Sequence, residues 1–280
     1  MWRPALTGTV LLAVFVLRIA LGEASPVKVP KRVVSMNVCT DQLAMMLAGD
    51  GQLYSVSWLA ADPGISVLSE NAKGLILNHG LAEEIFLMQP DLVIAGTYTT
   101  RATVNLLKKT GIRVEEFPPA ASFQDIGKNI RRMAALLGSP EKGERLVRAF
   151  QGDLKKLSEK PPGEKRIALY YANSYTSGAG TLADEIVGAS GLRNLGKELG
   201  YTGTTKLPLE LLVANQPDFV VGRERDFGKP SKAEENFNHP AYRAIAGGGH
   251  GISIESKYWV CGAPFVLDVS RKLRDHADGN

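Results

Sequence analysis

The sequence lacks several features on which other classes of protein depend. Its four histidines are far apart in the chain, whereas a bare zinc or manganese site needs several histidines and carboxylates at ligand spacing. Beyond the first residues, no apolar run reaches the length of about eighteen residues that a membrane-spanning helix requires. The net charge is only +4, and the basic residues are neither clustered nor interleaved with aromatic residues. That distribution argues against nucleic-acid binding.

Common catalytic motifs are missing as well. The sequence contains no Gly-x-Ser-x-Gly elbow, no His-Glu-x-x-His and no phosphate-binding Gly-rich loop. Residues 177–180 (Ser-Gly-Ala-Gly) resemble such a loop only superficially, because no Lys-Ser/Thr pair follows them. We therefore predict that the protein is not an enzyme and carries no metal or cofactor of its own. A secreted α/β enzyme is the alternative from another class.

The first residues are typical of a signal peptide, predicted over residues 1–24. A short positive start precedes an apolar run at 5–17, which Arg18 interrupts before it is long enough to span a bilayer. Small residues permit cleavage after Gly22 or Ala24, and we favour the second. The alternative, an uncleaved anchor, would bury Arg18 in the membrane. Since no cysteine near this zone could accept a lipid, we predict a periplasmic protein without a lipid anchor.

An internal repeat indicates how the rest of the chain is organised. Residues 81–96 (LAEEIFLMQPDLVIAG) and 208–223 (PLELLVANQPDFVVGR) share their Glu, Gln, Pro, Asp and one Val at equivalent positions. Each copy reads as a short helix, a Pro-Asp turn and a strand buried on both faces, as in a parallel sheet. A further strand opens each half, at 32–35 and 166–170. The pattern predicts two α/β lobes with mostly parallel sheets.

A single long helix is predicted between the two halves. Apolar residues recur at helical spacing over residues 139–160, with Ser139 as a potential N-cap and Pro140 at the first helical position. At about 1.5 Å per residue, this helix is roughly 30 Å long and can bridge two lobes. The predicted organisation is a signal peptide at 1–24, an N-terminal lobe at 30–138, a linker helix at 139–160 and a C-terminal lobe at 164–276.

The order and spacing of these segments resemble the substrate-binding proteins of iron-siderophore, haem and cobalamin ABC importers. The resemblance runs from about residue 31 to 274. It rests on Arg-Val-Val-Ser at 32–35, on the two repeat copies, on LLKKTGIRV at 106–114 and on His-Pro-Ala-Tyr at 239–242. It implies two Rossmann-like lobes joined by one long helix, with the ligand held in a cleft between them. It also implies that a monomer delivers a metal chelate to an ABC permease and its ATPase.

Candidate ligand-binding residues follow the predicted strands, because α/β sheets bind ligands outside the carboxyl ends of their strands. Aromatic rings supply apolar area, and arginines supply forked donors, which together suit a large planar or anionic chelate. We expect a ferric siderophore first, with cobalamin and haem as alternatives. The candidates are Asn37, Cys39, Thr40, Trp58, His79, Tyr98 and Arg101 in the first lobe, and Tyr171, Tyr175, Arg223, Arg225 and Trp259 in the second.

Some of these candidates also have a purely structural interpretation. The two tryptophans fit a core or rim position, the arginines fit solvated loops, and His79 fits a surface position as well as an axial haem ligand. Tyr170 and Tyr171 lie on opposite faces of one strand, so one of them is expected in the core.

The segment after the first strand departs from the family pattern. It reads Asn-Val-Cys-Thr-Asp at 37–41, where many members carry Pro-Ser. Its Cys39 and the only other cysteine, Cys261, lie in different halves but both at predicted cleft-facing turns. Two outcomes remain open at this stage, a disulfide across the cleft or two free thiols that line it.

The repeat also brings Glu83 and Glu210 into register. In the family that the chain resembles, an acidic residue at this position of each lobe docks onto basic residues of the permease. Glu83 is expected to face away from Ile85, whose side chain belongs to the core. The alternative is an ordinary solvated charge on each helix.

Overall fold

A computed structural model describes residues 28–159, 163–222 and 231–279. The predicted signal peptide lies outside these residues, as do Arg223 and Arg225.

The first lobe is built around a parallel sheet of five strands in the order β3-β2-β1-β4-β5. Its elements, in chain order, are β1 (Val33–Ser35), α1 (Val38–Leu47), β2 (Leu53–Ser57), β3 (Ile76–Asn78), α2 (Ala82–Leu87), β4 (Leu92–Gly96), α3 (Arg101–Lys109), β5 (Val114–Phe117) and α4 (Phe123–Leu136). The central pair, β1 and β4, sets Val33 opposite Leu92. Both strands are almost wholly buried, as expected for a parallel sheet that helices cover on both faces.

One long helix, α5 (Pro140–Ser158), follows the first lobe. Its 19 residues span about 28 Å. Phe150 packs edge to face against Phe123, with the ring centroids 5.9 Å apart. The predicted capping role of Ser139 is wrong, because its hydroxyl donates instead to the Leu47 carbonyl at 2.8 Å. Ser139 thus ties the start of α5 to the end of α1.

The second lobe repeats the architecture with a smaller parallel sheet in the order β11-β10-β6-β8. Its elements are β6 (Arg166–Leu169), β7 (Tyr175–Ser177), α6 (Leu182–Ser190), β8 (Arg193–Asn194), α7 (Leu195–Glu198), β9 (Thr204–Lys206), α8 (Leu209–Asn215), β10 (Phe219–Val221), α9 (Glu235–Asn238), α10 (Pro240–Ala246), β11 (Gly251–Ile252) and α11 (Val266–Asp278). A two-stranded antiparallel pair, β7 with β9, lies beside the sheet. The predicted fold class, α/β with mostly parallel sheets, is confirmed.

The repeated Gln-Pro-Asp turn performs the same structural task in each lobe. Gln89 and Gln216 both adopt positive φ angles, 48° and 42°, which reverse the chain after the helix. Asp91 then accepts the backbone N–H of Arg32 at 2.9 Å, and Asp218 accepts that of Arg166 at 2.7 Å. Each aspartate therefore fixes the start of the strand that opens its lobe.

Alternate residues of the first sheet face two different cores. Val34 and Val93 point towards α2 and α3, where Ile85 and Leu107 complete a small cluster. Val33 belongs to a larger cluster that includes α1 and α4 and continues through α5 into the second lobe. Because α5 contributes to this shared core, it acts as a packed connection between the lobes.

Candidate functional site

A small cavity lies where the strand ends of the first lobe meet the last part of the chain. Its volume is about 130 Å³. The first lobe contributes residues after β1, β4 and β5, and the second lobe contributes the residues on either side of Cys261. Four predicted ligand residues, Asn37, Cys39, Thr40 and Tyr98, lie at this cavity. The other lining residues are Leu43, Gly96, Thr97, Phe117, Pro118, Pro119, Ala120, Asn129, Val260 and Gly262.

Two of the polar side chains at the cavity, those of Asn37 and Thr40, are positioned by the start of α1. Asn37 is the N-cap of this helix, and its side-chain oxygen accepts the backbone N–H of Cys39 at 3.0 Å. The Thr40 hydroxyl is buried and bonds to the carbonyl of Asn37 at 2.9 Å and to the Ser35 hydroxyl at 2.8 Å. The backbone carbonyl oxygen of Asn37 and the Thr40 hydroxyl are thus already hydrogen-bonded within the protein. Rings and backbone form much of the remaining cavity wall.

A disulfide joins Cys39 of the first lobe to Cys261 of the second, with Cα atoms 5.0 Å apart. Of the two outcomes left open by the sequence, the disulfide is therefore the one that the structure contains. Gly262, next to the bridge, lets the backbone of the second lobe lie close to Ala120 of the first lobe, because a β-carbon at Gly262 would lie 2.4 Å from the Ala120 side chain. The lobes are in direct contact at this end of the cleft.

Two further contacts tie the lobes together. Lys257 donates from Nζ to the Pro63 carbonyl at 3.0 Å, and the Phe123 backbone N–H donates to the Glu185 carboxylate. Together with α5 and the disulfide, these contacts restrict how far the lobes can separate.

Asp41, in the first turn of α1, follows β1 together with the candidates Asn37, Cys39 and Thr40, and its side chain is fully buried. Its carboxylate accepts the Ser57 hydroxyl at 2.5 Å and the Ser57 backbone N–H at 3.2 Å. Burial raises the Asp41 pKa to about 6, although hydrogen bonds from Ser35 and Ser57 oppose the increase. Since Ser57 ends β2 and Trp58 follows it, Asp41 fixes the strand end from which Trp58 emerges.

Replacing Asp41 by Asn is expected to change how stability depends on pH. Between about pH 4 and 6, the folded wild type keeps a proton that the unfolded chain releases, so its stability falls as the pH rises through this window. The free energy of unfolding that the wild type loses through Asp41 grows by about 2 kcal/mol between about pH 4.5 and 7. The amide that replaces the carboxyl group does not ionise. The free energy of unfolding of the variant should therefore rise by this amount relative to that of the wild type over the same pH interval. Urea unfolding at several pH values measures the difference, and parallel pH profiles would contradict the raised pKa.

The remaining predicted ligand residues lie outside the small cavity. Trp58 begins a short 3₁₀ turn after β2 and is half exposed. Tyr171 is half-buried and meets Trp259 edge to face at 6.2 Å, and burial raises the Tyr171 pKa to about 12. Tyr175 lies exposed on β7, with the Lys206 ammonium 6.0 Å from its ring centroid. Tyr170, by contrast, is fully buried, so it is the core member of the consecutive tyrosines.

Arg101 and His79, two further candidates, already have partners on the protein surface. Arg101 pairs with Glu116 at 2.5 Å. His79 follows β3, and its Nδ1 lies 3.3 Å from the Glu84 carboxylate. A carboxylate at one ring nitrogen orients an imidazole and leaves the other nitrogen available for a metal. The geometry of His79 is therefore compatible with an axial ligand.

The sequence reasoning missed the apolar part of the cavity wall. Pro118, Pro119 and Ala120 follow β5, while Val260 and Gly262 flank the disulfide. A signal was available, because β5 is a parallel strand and its carboxyl end must lie at the same edge as that of β4. Selection of candidates by polar or aromatic chemistry excluded these residues.

The two glutamates of the repeat are both exposed on short helices. Glu83 lies in the first turn of α2 and Glu210 in the first turn of α8. Ile85 is fully buried, so the expected orientation of this helix is confirmed. Neither carboxylate receives a hydrogen bond or an ion pair from the part of the chain that the structure describes.

Two kinds of feature are absent from the described ranges. Within 28–159, 163–222 and 231–279, no group of three or more His, Cys, Asp or Glu side chains could hold a metal ion. Among the helices of these ranges, none combines the length and apolar character needed to cross a bilayer.

A comparison with family profiles gives a match over residues 52–247 to the family described as periplasmic binding protein. Two curated relatives are similar to the chain over most of its length. One is an uncharacterized ABC transporter substrate-binding lipoprotein, YvrC, of Bacillus subtilis, 25% identical over 219 residues that cover 74% of this chain and 67% of the relative. The other is a cobalamin-binding protein of Halobacterium salinarum, 22% identical over 69% of this chain. The aligned region spans only 53% of that relative.

Solved structures with similar folds are also found. The periplasmic haem-binding protein HutB of Vibrio cholerae superposes with a TM-score of 0.71 at 20% sequence identity. The match covers 87% of this chain and 97% of that protein. At this level of identity the similarity concerns the fold: two lobes with a cleft between them.

Proposed function

Since the chain belongs to the periplasmic binding protein family, we propose that it captures a metal chelate in its interlobe cleft and delivers it to the permease of an ABC importer. The family and the relatives are solute-binding proteins, so the chain is not an enzyme. The proposal rests on an exposed aromatic side chain at the edge of the cleft. Tyr98 is 88% exposed although it follows a fully buried strand and lies at the cavity.

The size of the cavity determines how such a ligand would bind. Pockets for drug-sized ligands usually measure about 300–1,000 Å³, whereas this cavity measures about 130 Å³. An intact chelate would therefore place one edge in the cavity and rest its body on the rim, where Tyr98 and Val260 present exposed apolar surface. The disulfide beside Val260 would keep the rim at a fixed width.

Two chelate classes are compatible with this rim, and we place a metal tetrapyrrole first. The flat porphyrin of haem stacks well on exposed rings, and the corrin of cobalamin offers them a large apolar edge. Relatives of the chain are named for binding cobalamin and haem. A ferric siderophore, the first expectation from the sequence, relies more on cationic donors. Among the described residues, the candidate arginine Arg101 is already paired with Glu116.

The transport part of the proposal concerns partners and location. We propose that Glu83 and Glu210 contact basic residues of the permease, one on each lobe, while its ATPase drives uptake. Their equivalent positions support this role, as does the lack of a partner for either carboxylate among the residues that the structure describes. The family and the HutB structure are described as periplasmic, whereas the Bacillus subtilis relative is described as a lipoprotein. Export of this chain by its own signal peptide without a lipid anchor is our proposal for its route.

Replacing Tyr98 by Ala is expected to weaken binding of the cognate chelate by more than about tenfold, equivalent to 1.4 kcal/mol or more. The ring loses its stacking contact, whereas its exposure means that the fold loses little. Purified protein would be titrated with haem, cobalamin and a panel of ferric siderophores, with tryptophan fluorescence and the ligand absorption band as readouts.

The variant Tyr98→Phe provides the matched control. It keeps the ring and removes only the hydroxyl, so it should bind like wild type if stacking dominates. Loss of affinity in Tyr98→Phe as well would identify the phenol as a metal ligand or hydrogen-bond donor. Unchanged affinity in Tyr98→Ala removes this residue from the site, and saturable binding of no chelate by the wild type overturns the cargo proposal.

A further inference from the structure

An apolar groove lies on the first lobe between α2 and α3. It has a volume of about 320 Å³ and is lined by Ala82, Glu83, Phe86, Leu87, Leu106 and Leu107. We call it the α2/α3 groove. The cavity at the lobe junction shares no residue with it.

The fold does not account for the apolar side chains that surround this groove. α2 already anchors itself to the sheet through Ile85, which is fully buried. Phe86 and Leu87 point outwards and are 51% and 79% exposed, and Leu106 on the neighbouring helix is 46% exposed. Three large apolar side chains around one groove form a continuous patch, which on a soluble protein marks a surface that another molecule covers.

In the described part of the second lobe, the equivalent helix α8 does not repeat this patch at the matching positions, although its Leu211 is 40% exposed. In the repeat alignment, Val213 and Ala214 of α8 stand where α2 has Phe86 and Leu87. Val213 is half-buried, and Ala214 presents only a methyl group. The large apolar side chains at these two positions are therefore specific to α2, whereas the carboxylate position is common to both helices.

Charge restricts what can cover the groove. The Glu83 carboxylate lies in the groove wall, and the described residues offer it neither a hydrogen bond nor an ion pair. A partner that buried the groove without a cation would leave this carboxylate desolvated and unpaired, which is costly. The complementary surface must therefore present an apolar side chain next to a lysine or arginine.

We propose that the α2/α3 groove receives a surface segment of the membrane permease that carries an apolar side chain beside a basic residue. This inference rests on the proposed function, and it adds an apolar anchor to the docking contact of the first lobe. The apolar side chain fills the groove against Phe86 and Leu87, and the basic residue pairs with Glu83. An apolar cluster bordered by polar and charged residues matches the usual arrangement of a protein interface, in which an apolar centre is surrounded by a polar rim.

Two other occupants fit the charge less well. An anionic lipid surface would repel Glu83 instead of neutralising it. A second copy of the chain in a twofold dimer would present the same patch, so the two Glu83 carboxylates would approach each other without a cation from the groove.

The test compares two variants in binding to the cognate permease–ATPase complex in lipid nanodiscs. In the first, Phe86→Gln and Leu87→Gln are combined, which removes the apolar patch while keeping residues that favour helices. In the second, the matched control Ile76→Thr removes a similarly exposed apolar side chain from the edge strand β3. We expect the groove variant to bind the nanodiscs at least about tenfold more weakly and the control to bind like wild type. Thermal unfolding and chelate titration should match wild type for both variants.

Each contrary result has a distinct meaning. Equal permease affinity for the groove variant and the wild type overturns the groove proposal while leaving chelate capture untouched. If the wild type dimerises and the groove variant does not, the groove is a self-contact and the proposal is overturned. If the wild type floats with vesicles of phosphatidylethanolamine and phosphatidylglycerol and the groove variant does not, the groove is a lipid contact and the proposal is likewise overturned. A protein that binds no chelate but docks through the groove supports the inference and overturns only the cargo.

Discussion

Replacing both Cys39 and Cys261 by Ser is expected to lower the free energy of unfolding by about 2–5 kcal/mol. The bridge joins residues separated by 222 positions, and a cross-link between distant residues restricts the unfolded chain strongly in the entropic account of disulfide stabilisation. The folded state also loses a covalent contact between its lobes. Urea unfolding of the double variant and of the wild type measures the difference.

The reduced wild type provides the matched comparison for this experiment. Under a strong reductant its stability should fall to that of the double Ser variant, whereas the double variant should not respond to reductant at all. Mass measurement after alkylation of the non-reduced protein checks the premise. Two added labels on the native protein would contradict the disulfide, and equal stability of the variant and the oxidised wild type would contradict its stabilising role.

The lobes and their connection could be predicted because local sequence determines them. The repeated Gln-Pro-Asp turn is visible in the sequence, and its function follows from backbone chemistry. Asp91 and Asp218 can accept N–H groups only from a strand that starts beside them. The helix of residues 140–158 was likewise evident from apolar spacing. Its start was less predictable, because Ser139 donates to a distant carbonyl instead of capping its own helix.

The candidate site was predictable only where chemistry and strand ends coincide. Tyr98, Asn37 and Thr40 follow strands that are easy to locate, and they line the cavity. The sequence could not predict that Pro118 and Val260 line the cavity, because apolar side chains in a sequence do not distinguish a cavity wall from an ordinary core or surface position. The disulfide could not be decided either, because it depends on the packing of two lobes that the sequence separates by 222 positions.

The buried carboxyl of Asp41 is an example of a group whose role depends on its surroundings. Its position in the first turn of α1 suggested an ordinary polar residue near the cleft. Packing by the neighbouring strands removes it from water, and this desolvation is the largest influence on its pKa. No local pattern in the sequence predicts burial of that degree.

The double variant Glu83→Ala and Glu210→Ala is expected to abolish uptake of the chelate into vesicles that contain the permease and its ATPase, without changing chelate affinity. Both carboxylates are exposed, and no side chain in the described ranges pairs with them, so their removal should cost little stability. Exposed charges at an interface act mainly on the encounter rate and on orientation. Removal of both carboxylates would therefore eliminate the electrostatic attraction that orients each lobe on the permease. Uptake of labelled chelate and binding of the protein to the nanodiscs provide the two measurements.

The matched control is Glu141→Ala on α5, which removes a carboxylate whose side chain is 92% exposed and which lies outside both docking helices. It should transport like wild type. The single variants should each retain part of the activity, and high salt should weaken docking of the wild type more than that of the double variant, because screening acts on the charges that the variant lacks. Full transport by the double variant would contradict the docking role of these glutamates. Loss of transport together with loss of chelate affinity would place their effect in the cleft instead of at the permease.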